Sequence, residues 1–457
     1  MKKNVIKQVV KFGVSSSIIG LFAGCTAVTG HKDAMNQFDV NLMSGKCEYT
    51  QIDKKINDND DVILWGIQGA SLARNCLNYN KSNELFDKAE EKYKEEVDKD
   101  NIANNALESA SSILINNNIN EYEGNTYEKV MVNTYKALNF ASLEDKENAR
   151  IEFNRALDRQ RRAQEYFESE INDKKKKIEE DKQKNPNASD IASNKQTQDA
   201  IYSKYSTLLN DFEAYPDFVN PFTTYISGIY FLLSGDNLKA KDLLKESVSM
   251  NPNNKQILDD FKMSDENRLA NNKENYAWVI FENGQGMAKN EIRIDIPLFL
   301  VTNKVQYTGI ALPKVDERSS SHNYLDVNGE KTSLVCNMDN VIKTEFKKRF
   351  PGIVTESVLN TVVKTIAQQQ LNKETGIVGG IAGALYQGLT NKADVRSWTA
   401  LPKNFQSVRV KIDDKPILIK NDKGELIKSV IIPNGKNAMI YIKSQNATNN
   451  KVHEILF

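Results

Sequence analysis

Few residues in this chain of 457 could carry metal, redox or nucleophilic chemistry. The three histidines, His31, His322 and His453, lie far apart and show neither helical nor zinc-finger spacing. The sequence therefore offers almost no residues for a histidine-based triad, and no pair of acidic residues stands out as an acid–base couple. We expect no metal, no cofactor and no catalytic centre.

The cysteines pose a separate question. Apart from Cys25, the chain has Cys47, Cys76 and Cys336, with wide spacing and no CxxC pair. At most one disulfide is possible among these three, and an oxidising compartment would make Cys47 with Cys76 the favoured bridge. Separate buried thiols are an equal alternative, and the sequence leaves both open.

The N-terminus has the anatomy of a signal peptide. Four lysines within residues 2–11 precede an uncharged, largely apolar segment from Phe12 to Gly24. Its end, Leu21 to Cys25, resembles the bacterial lipobox, in which small residues precede a cysteine. The resemblance implies cleavage after residue 24 and attachment of acyl chains, such as palmitate, at Cys25. An ordinary secretory signal with a chance cysteine is the alternative.

A lipidated Cys25 would fix the chain to a membrane, because each buried methylene contributes about 0.8 kcal/mol. Thr26 follows it rather than Asp, which by the enteric sorting rule favours the periplasmic side of the outer membrane in a host with two membranes. Residues 25–60 are then expected to form a tether. No later segment reaches the roughly 18 to 20 apolar residues of a membrane span.

Composition limits the remaining partners. The 61 basic residues balance the 61 acidic ones, so the electrostatic footprint of a nucleic-acid-binding protein is missing. We expect a multidomain globular protein without a nucleic-acid partner.

Internal repeats occupy residues 61–270, where small and bulky residues recur in one order. The resembling positions are Ala70, Ala73, Cys76, Tyr79, Ser82, Phe86 and Ala89; Ala137, Phe140, Leu143, Ala149, Phe153 and Ala156; and Gly228, Phe231, Gly235, Ala240, Leu244 and Pro252. They resemble tetratricopeptide repeats, which implies an all-α region of paired helices.

The spacing of these repeats is uneven. Ser82 and Ala149 are 67 residues apart, close to two units of about 34, which implies a further unit near 98–131. Ala149 and Ala240 are 91 residues apart, and the excess coincides with a charged insert near 160–200 that we interpret as a solvated helix extension. A turn or linker at 185–189 and a helix over 197–212 should follow.

Residues 271–457 change to strand periodicity, which predicts an α+β domain with a mostly antiparallel sheet. Trp278 to Phe281 and Glu291 to Ile296 should pair around the Glu282-Asn283-Gly284 turn. Helices are expected at 338–350, ended by Pro351, and at 355–371. Further strands are predicted at 305–311, 332–336, 407–412, 416–420, 426–432 and 438–443.

Two segments of this domain have open roles. The glycine-rich stretch 376–388 is too short to span a membrane, so a buried helix is favoured over membrane contact. The loop with Asp394, Arg396 and Trp398 could be a recognition surface. The favoured interpretation is structural: an Asp394–Arg396 pair locks the loop to the sheet while Trp398 fills the core.

The whole pattern resembles uncharacterised bacterial envelope lipoproteins that join tetratricopeptide-like repeats to a C-terminal β domain. This resemblance implies the same architecture and carries no catalytic residues to transfer. It rests on Tyr122 to Gly124, Tyr127 to Met131, Ala137 to Phe140, Ala149 to Ala156, Phe281 to Gly284, Ala311 to Pro313 and Ala393 to Pro402.

The favoured function is a membrane-anchored scaffold or assembly factor that binds an envelope protein in the curved face of its repeats. A small-ligand carrier using the β domain, or less favourably a cell-wall hydrolase, is the alternative. Three of the six proposed contacts are apolar and could instead be covered by the neighbouring domain. The six are Ser71, Arg74, Asn75, Phe222, Tyr225 and Ile229.

Overall fold

The computed structural model describes residues 33–102, 121–211, 215, 219–271, 274–297, 307–375 and 392–457. Cys25, the signal segment, the glycine-rich stretch 376–388 and residues 103–120 of the implied extra repeat lie outside this set. Up to residue 271 the described chain is helical, and beyond it strands combine with one long helix. The structure therefore confirms a helical region followed by an α+β region. No helix in the described ranges is long and apolar enough to cross a membrane.

Two helix boundaries differ from expectation. Residues 185–189 are not a linker, because Asn185 is the N-cap residue of the helix Pro186–Ser193 (α7) and Pro186 holds its favoured first position. Pro351 does not end a helix, because the helix Met338–Thr375 (α13) continues through it with Phe350 and Val354 buried on either side. That packing offsets the roughly 3 kcal/mol cost of an internal proline. The helices are α1 (33–44), α2 (Thr50–Asn57), α3 (Val62–Asn75), α4 (Tyr79–Ile102), α5 (Thr126–Ser142), α6 (Lys146–Lys184), α7 (Pro186–Ser193), α8 (Lys195–Asn210), α9 (Pro221–Leu233), α10 (Asn237–Met250), α11 (Lys255–Asp265), α12 (Arg268–Asn271) and α13 (Met338–Thr375).

Three helical hairpins, α3–α4, α5–α6 and α9–α10, close with the same turn. Each has one residue of positive φ after its first helix: Leu77 (56°), Glu144 (60°) and Gly235 (81°). The next residue, Asn or Asp, then caps the second helix by accepting a backbone N–H through its side chain. The N–H donors to Asn78, Asp145 and Asp236 are Lys81 (3.1 Å), Asn148 (3.1 Å) and Lys239 (3.4 Å).

The charged insert forms most of the second half of α6. This helix has 39 residues against 17 in its hairpin partner α5, and its segment 172–177 is exposed throughout. The prediction of a solvated helix extension is confirmed for this segment. It is wrong for residues 186–200, which belong to α7 and α8 and bury Ala188, Ile191 and Thr197.

The described strands are β1 (Tyr276–Asn283), β2 (Ala288–Pro297), β3 (Tyr307–Asp316), β4 (Leu325–Val327), β5 (Glu330–Lys331), β6 (Ser333–Asn337), β7 (Asn404–Lys411), β8 (Ile417–Asn421), β9 (Leu426–Val430), β10 (Ala438–Asn446) and β11 (Asn449–Leu456). They form three sheets. A five-stranded main sheet has the order β11-β10-β1-β7-β6, β2 and β3 form a ribbon, and an outer sheet has the order β5-β4-β8-β9. Among these strands all pairs are antiparallel except β1 with β10.

The expected pairing of β1 with β2 is wrong. β1 lies between β10 and β7, whereas β2 pairs with β3. β1 occupies this central position because it can be buried on both faces: residues 277–284 are all buried. Its even side chains face the helices and its odd ones face the outer sheet.

The molecule therefore has three layers: helices, main sheet and outer sheet. One apolar core joins the helices to the main sheet, and its closest ring contact stacks Phe222 on Phe405 at 3.6 Å between centroids. A second core fills the space between the two sheets. The helical and α+β regions thus share a core across the boundary near residue 270.

The N-terminal segment is part of this body. Ala34, Phe38 and Leu42 of α1 are buried, and a Cys47–Cys76 disulfide links the segment after α1 to the end of α3. The expected tether over 25–60 is therefore wrong from residue 33 onward. The disulfide also decides between the two alternatives for these cysteines, while Cys336 stays a buried free thiol.

Candidate functional site

The six predicted partner contacts lie on the inner face of the hairpins, and all six are buried. The chain's own residues, from neighbouring helices and from the C-terminal region, cover this face. Ser71 Oγ accepts a hydrogen bond from Trp398 Nε1 at 2.8 Å. Arg74 donates to the carbonyl of Tyr135 at 3.1 Å and to the Asn139 side chain. As contacts for a separate protein these residues are wrong, because their positions are already occupied.

The second group, on α9, meets the main sheet. The Tyr225 hydroxyl donates to Asp260 Oδ2 at 2.8 Å and lies 3.0 Å from Ser407 Oγ. Burial, and then the Asp260 charge, raises the pKa of Tyr225 well above its usual value, so it remains a neutral donor. Asp260 also accepts from Arg409 at 2.6 Å. The sequence left open that the neighbouring domain covers the apolar contacts. The structure shows this coverage.

The loop before β7 forms what we call the Trp398 interface, which consists of Trp398 with Gln68, Ser71 and Glu128. The Trp398 indole lies 5.8 Å from both the Phe86 and Tyr135 rings. The backbone N–H of Trp398 donates to Glu128 at 3.0 Å. Gln68 Nε2 donates to the Ser397 carbonyl at 3.1 Å, and its Oε1 accepts from the Ala400 N–H at 3.2 Å.

Asp394 and Arg396 hold the same loop. Arg396 donates to both carboxylate oxygens of Asp394, at 3.0 and 2.9 Å, and to Asp61 at 2.8 Å. The predicted pairing of Asp394 with Arg396 is confirmed. The pair itself ties the loop to the helices, because Asp61 precedes α3. The loop also contacts the two-stranded sheet, where the Ala393 N–H donates to Glu291 of β2 at 2.9 Å.

Two glutamates at the start of α5 were not anticipated from the sequence. Glu345 of α13 accepts the backbone N–H groups of Thr126 and Tyr127 at 2.9 and 3.1 Å, so it caps α5 from a distant helix. Glu128 completes a capping box with Asn125. The spacing Asn-x-x-Glu is a known helix-start signal and could have identified Glu128. Nothing local identifies Glu345.

Arg349 extends this group outward. It bonds Glu345 at 2.7 Å and Glu170 of α6 through two nitrogens, the longer bond being 2.9 Å. Although burial opposes ionisation, the Arg349 guanidinium lowers the pKa of Glu170 from 4.5 to about 2.

A polar layer lies beside the Trp398 interface and consists of Arg74, Tyr135, Glu282, Tyr441 and Lys443. The Arg74 guanidinium carbon is 4.4 Å from the Tyr135 ring centroid, and Tyr441 donates to Glu282 at 2.7 Å. Lys443 Nζ lies 3.0 Å from Glu282 Oε1. Burial lowers the pKa of Lys443, opposed by the Glu282 charge. Two cations thus share one carboxylate in a closed interior.

One polar pocket opens on the β side and encloses about 150 Å³. His322 Nδ1 lies 3.5 Å from Asp422 Oδ1 there. The imidazole Nε2 is buried and finds no hydrogen-bond partner among the described residues, and the neighbouring Ser321 hydroxyl donates to Asn283 at 2.7 Å. The Ser321 hydroxyl proton is therefore directed to Asn283 and not to His322. The pocket is lined by Ser320, Ser321, His322, Asn323, Asn421, Asp422, Lys423, Glu425 and Ala447.

Comparison of the chain with protein-family models, with curated proteins and with solved structures found no match. Function is therefore inferred from the residues and geometry described above. Among the described residues, no three His, Cys, Asp or Glu side chains are grouped as a metal site would need.

Proposed function

We propose that this protein is a lipid-anchored scaffold of the bacterial envelope, held to the membrane through Cys25 and built on tetratricopeptide-like hairpins. The repeat assignment is supported by the three equivalent turns and by the small residues that allow close helix pairing. At Gly66, an added Cβ would lie 2.9 Å from the Leu85 carbonyl, and at Gly228 it would lie 2.9 Å from Leu244. We propose no catalytic role for it.

The observation that carries this proposal is the Cys47–Cys76 disulfide. Disulfides persist in exported proteins, whereas the reducing cytosol keeps thiols free. The bond therefore supports the same compartment as the signal peptide and lipobox-like motif, from residues that are independent of them.

The closed inner face changes where a partner would bind. A partner would need an exposed surface, and the segment 172–177 of α6 is one such surface. Lys175 and Lys176 are exposed there. Crosslinking in cells, followed by mass spectrometry, should recover one envelope protein from wild type and lose it in Lys175→Glu/Lys176→Glu. Equal recovery from both would exclude this segment of α6 as the docking surface.

Lipidation has a direct test. Cells fed an alkyne-bearing palmitate should label wild type, and Cys25→Ser should lose both the label and its place in the membrane fraction. The double variant Cys47→Ser/Cys76→Ser is the matched control, because it also replaces cysteines by serines but should stay labelled. Label retained by Cys25→Ser would refute the anchor.

The His322 pocket supports a second candidate, a small-ligand carrier. Its volume of about 150 Å³ is small, so we take a single sugar ring or amino acid as the ligand size to test. Titration calorimetry with glucose and with glycine, on wild type and Asp422→Asn, would test this candidate. Binding that is absent from wild type in the millimolar range would remove it.

A further inference from the structure

The polar layer between the helices and the main sheet carries more positive than negative charge. Arg74 of α3 and Lys443 of β10 are both buried, and Glu282 of β1 supplies the single carboxylate of the layer. At its rim, Lys451 and Glu454 of β11 are partly buried and of opposite charge, so they leave the balance unchanged. A buried excess of positive charge is costly, because a charge that is removed from water must be compensated.

The other titratable side chains that face the layer do not offset this excess. Burial raises the pKa of Tyr135 and of Tyr441 well above the usual value, so neither phenol supplies a negative charge. Burial lowers the pKa of His453, which lies opposite Tyr441 on β11, so its imidazole is neutral near pH 7.

Several N–H donors in and beside the layer also find no acceptor among the described residues. Arg74 bonds other groups through Nη1, but its Nε has no hydrogen-bond partner. The Lys443 ammonium lies 3.0 Å from Glu282 Oε1 but makes no directed hydrogen bond. The side-chain amides of Asn75 and Gln445, at the edge of the layer, are equally unpartnered. Buried donors are nearly always satisfied in folded proteins, so these nitrogens point to a group that accepts hydrogen bonds.

Three changes would relieve the layer, and they differ in what they correct. Loss of a proton from Lys443, whose pKa burial lowers, removes the excess charge but leaves Arg74 Nε and the two amides unsatisfied. Ordered water satisfies the donors but leaves the excess charge. A small anion corrects both, because it accepts hydrogen bonds and neutralises one cation.

We propose that the polar layer binds one small monovalent anion, such as chloride, beside Lys443 Nζ and Arg74 Nε. Both cations lie near one aromatic ring: the Arg74 guanidinium carbon is 4.4 Å and Lys443 Nζ is 6.0 Å from the Tyr135 ring centroid. The anion would connect α3 to β10 and thereby hold the helical region to the α+β region. Because the site needs residues from both regions, the anion binds the folded protein and stabilises it.

Thermal unfolding of the purified protein tests the site in solution. Chloride is exchanged stepwise for gluconate at pH 7 and at one ionic strength, about 0.15 M, so that the screening of surface charges stays constant. Gluconate is too large for a site in which Lys443 is 4 % exposed. We expect a melting temperature several degrees higher in chloride than in gluconate, with an increase that levels off as the site saturates. Equal melting temperatures in the two anions would overturn the proposal.

Two lysine variants locate the effect. Lys443→Met removes the ammonium donor and should abolish the difference between chloride and gluconate, whatever it does to stability in either salt. Lys428→Met is the matched control, because it makes the same substitution at an exposed position of a strand, β9, and should keep the full difference. A difference of the same size in both variants would show that chloride acts elsewhere and would overturn the assignment.

Diffraction from wild-type crystals grown in bromide depends on no variant. Bromide resembles chloride in charge and size, and it scatters anomalously, so a bound ion gives an anomalous peak that water cannot give. We expect that peak next to Lys443 Nζ, inside the polar layer. Ordered water on the same donors, without an anomalous peak, would overturn the proposal and show that hydration alone satisfies the layer.

Discussion

The Trp398 interface and the polar layer both join the helices to the α+β region, yet they do so with different chemistry. At the Trp398 interface a large aromatic ring is buried, and the indole N–H, the backbone N–H and the facing Gln68 amide are all hydrogen-bonded. In the polar layer, two cations and one carboxylate are buried together. The Trp398 interface combines apolar burial with hydrogen-bonded polar groups and one buried carboxylate, Glu128, which accepts several hydrogen bonds. The polar layer must overcome the desolvation of Arg74, Glu282 and Lys443 together.

The side chains at the edges of the polar layer also differ from those of the Trp398 interface, because two of them lack hydrogen bonds. Asn75 and Gln445, each 2 % exposed or less, have side-chain amides without a hydrogen-bond partner in the described part of the chain. Groups of this kind are normally paired, and an unpaired one costs about 1–3 kcal/mol. We infer that the Trp398 interface provides most of the stability between the two regions and that the polar layer provides little.

Trp398→Ala should have the largest effect. It removes a side chain that is 1 % exposed, opens a cavity beside Phe86 and Tyr135, and leaves the Ser71 hydroxyl without its donor. We expect the free energy of unfolding to fall by about 3–5 kcal/mol, measured by urea denaturation followed by circular dichroism.

Trp398→Phe is the matched control for that substitution. It keeps most of the ring and loses only the indole N–H, so it should cost about 1–2 kcal/mol. If both variants lose the same amount, the hydrogen bond rather than the packing stabilises this interface. A loss below about 1 kcal/mol in Trp398→Ala would reverse our ranking of the two interfaces.

The sequence predicted the local structure well where periodicity is strong. Strands such as β1, β2, β7 and β10 lie where alternation placed them, because side-chain period is a local property. β4 and β5 span three and two residues, too few to show a period. β11 has mixed polar composition and owes its strand form to pairing with β10.

The sequence could not predict which surfaces meet. The parallel pairing of β1 with β10 joins residues more than 150 positions apart, so no turn motif encodes it. Arg74 and Asn75 are polar, so the sequence suggests that they face solvent or a partner. Helical periodicity cannot distinguish a face covered by another protein from one covered by the same chain. The Asp394–Arg396 pair was predictable because both residues lie in one loop, but its third member, Asp61, was not.

The polar layer is best tested by removing its charges singly and together. Lys443→Met leaves the Glu282 carboxylate buried without its ammonium partner, and we expect a loss of about 3 kcal/mol. In the double variant Lys443→Met/Glu282→Gln no carboxylate remains unpaired, and Arg74 keeps its hydrogen bonds to Tyr135 and Asn139, so the loss should be smaller than in the single variant. Urea denaturation of the two variants gives the comparison directly. A double variant as unstable as the single one would show that the ion pair contributes net stability, contrary to our inference.

The smallest effect on the free energy of unfolding is expected at the Glu170–Arg349 pair, and this effect should depend on pH. The pKa of Glu170 falls from 4.5 to about 2 on folding, so its contribution is present above pH 4.5 and is lost as the pH falls from 4.5 towards 2. Because the Glu170 side chain is 32 % exposed, we expect Glu170→Gln to cost only about 1–2 kcal/mol at pH 7. Denaturation midpoints of wild type and variant should converge towards pH 2. Glu168→Gln, on the same helix but exposed, should match wild type within about 0.5 kcal/mol at every pH. A difference between wild type and Glu170→Gln that persists unchanged at low pH would mean that the side chain acts through packing rather than through its charge.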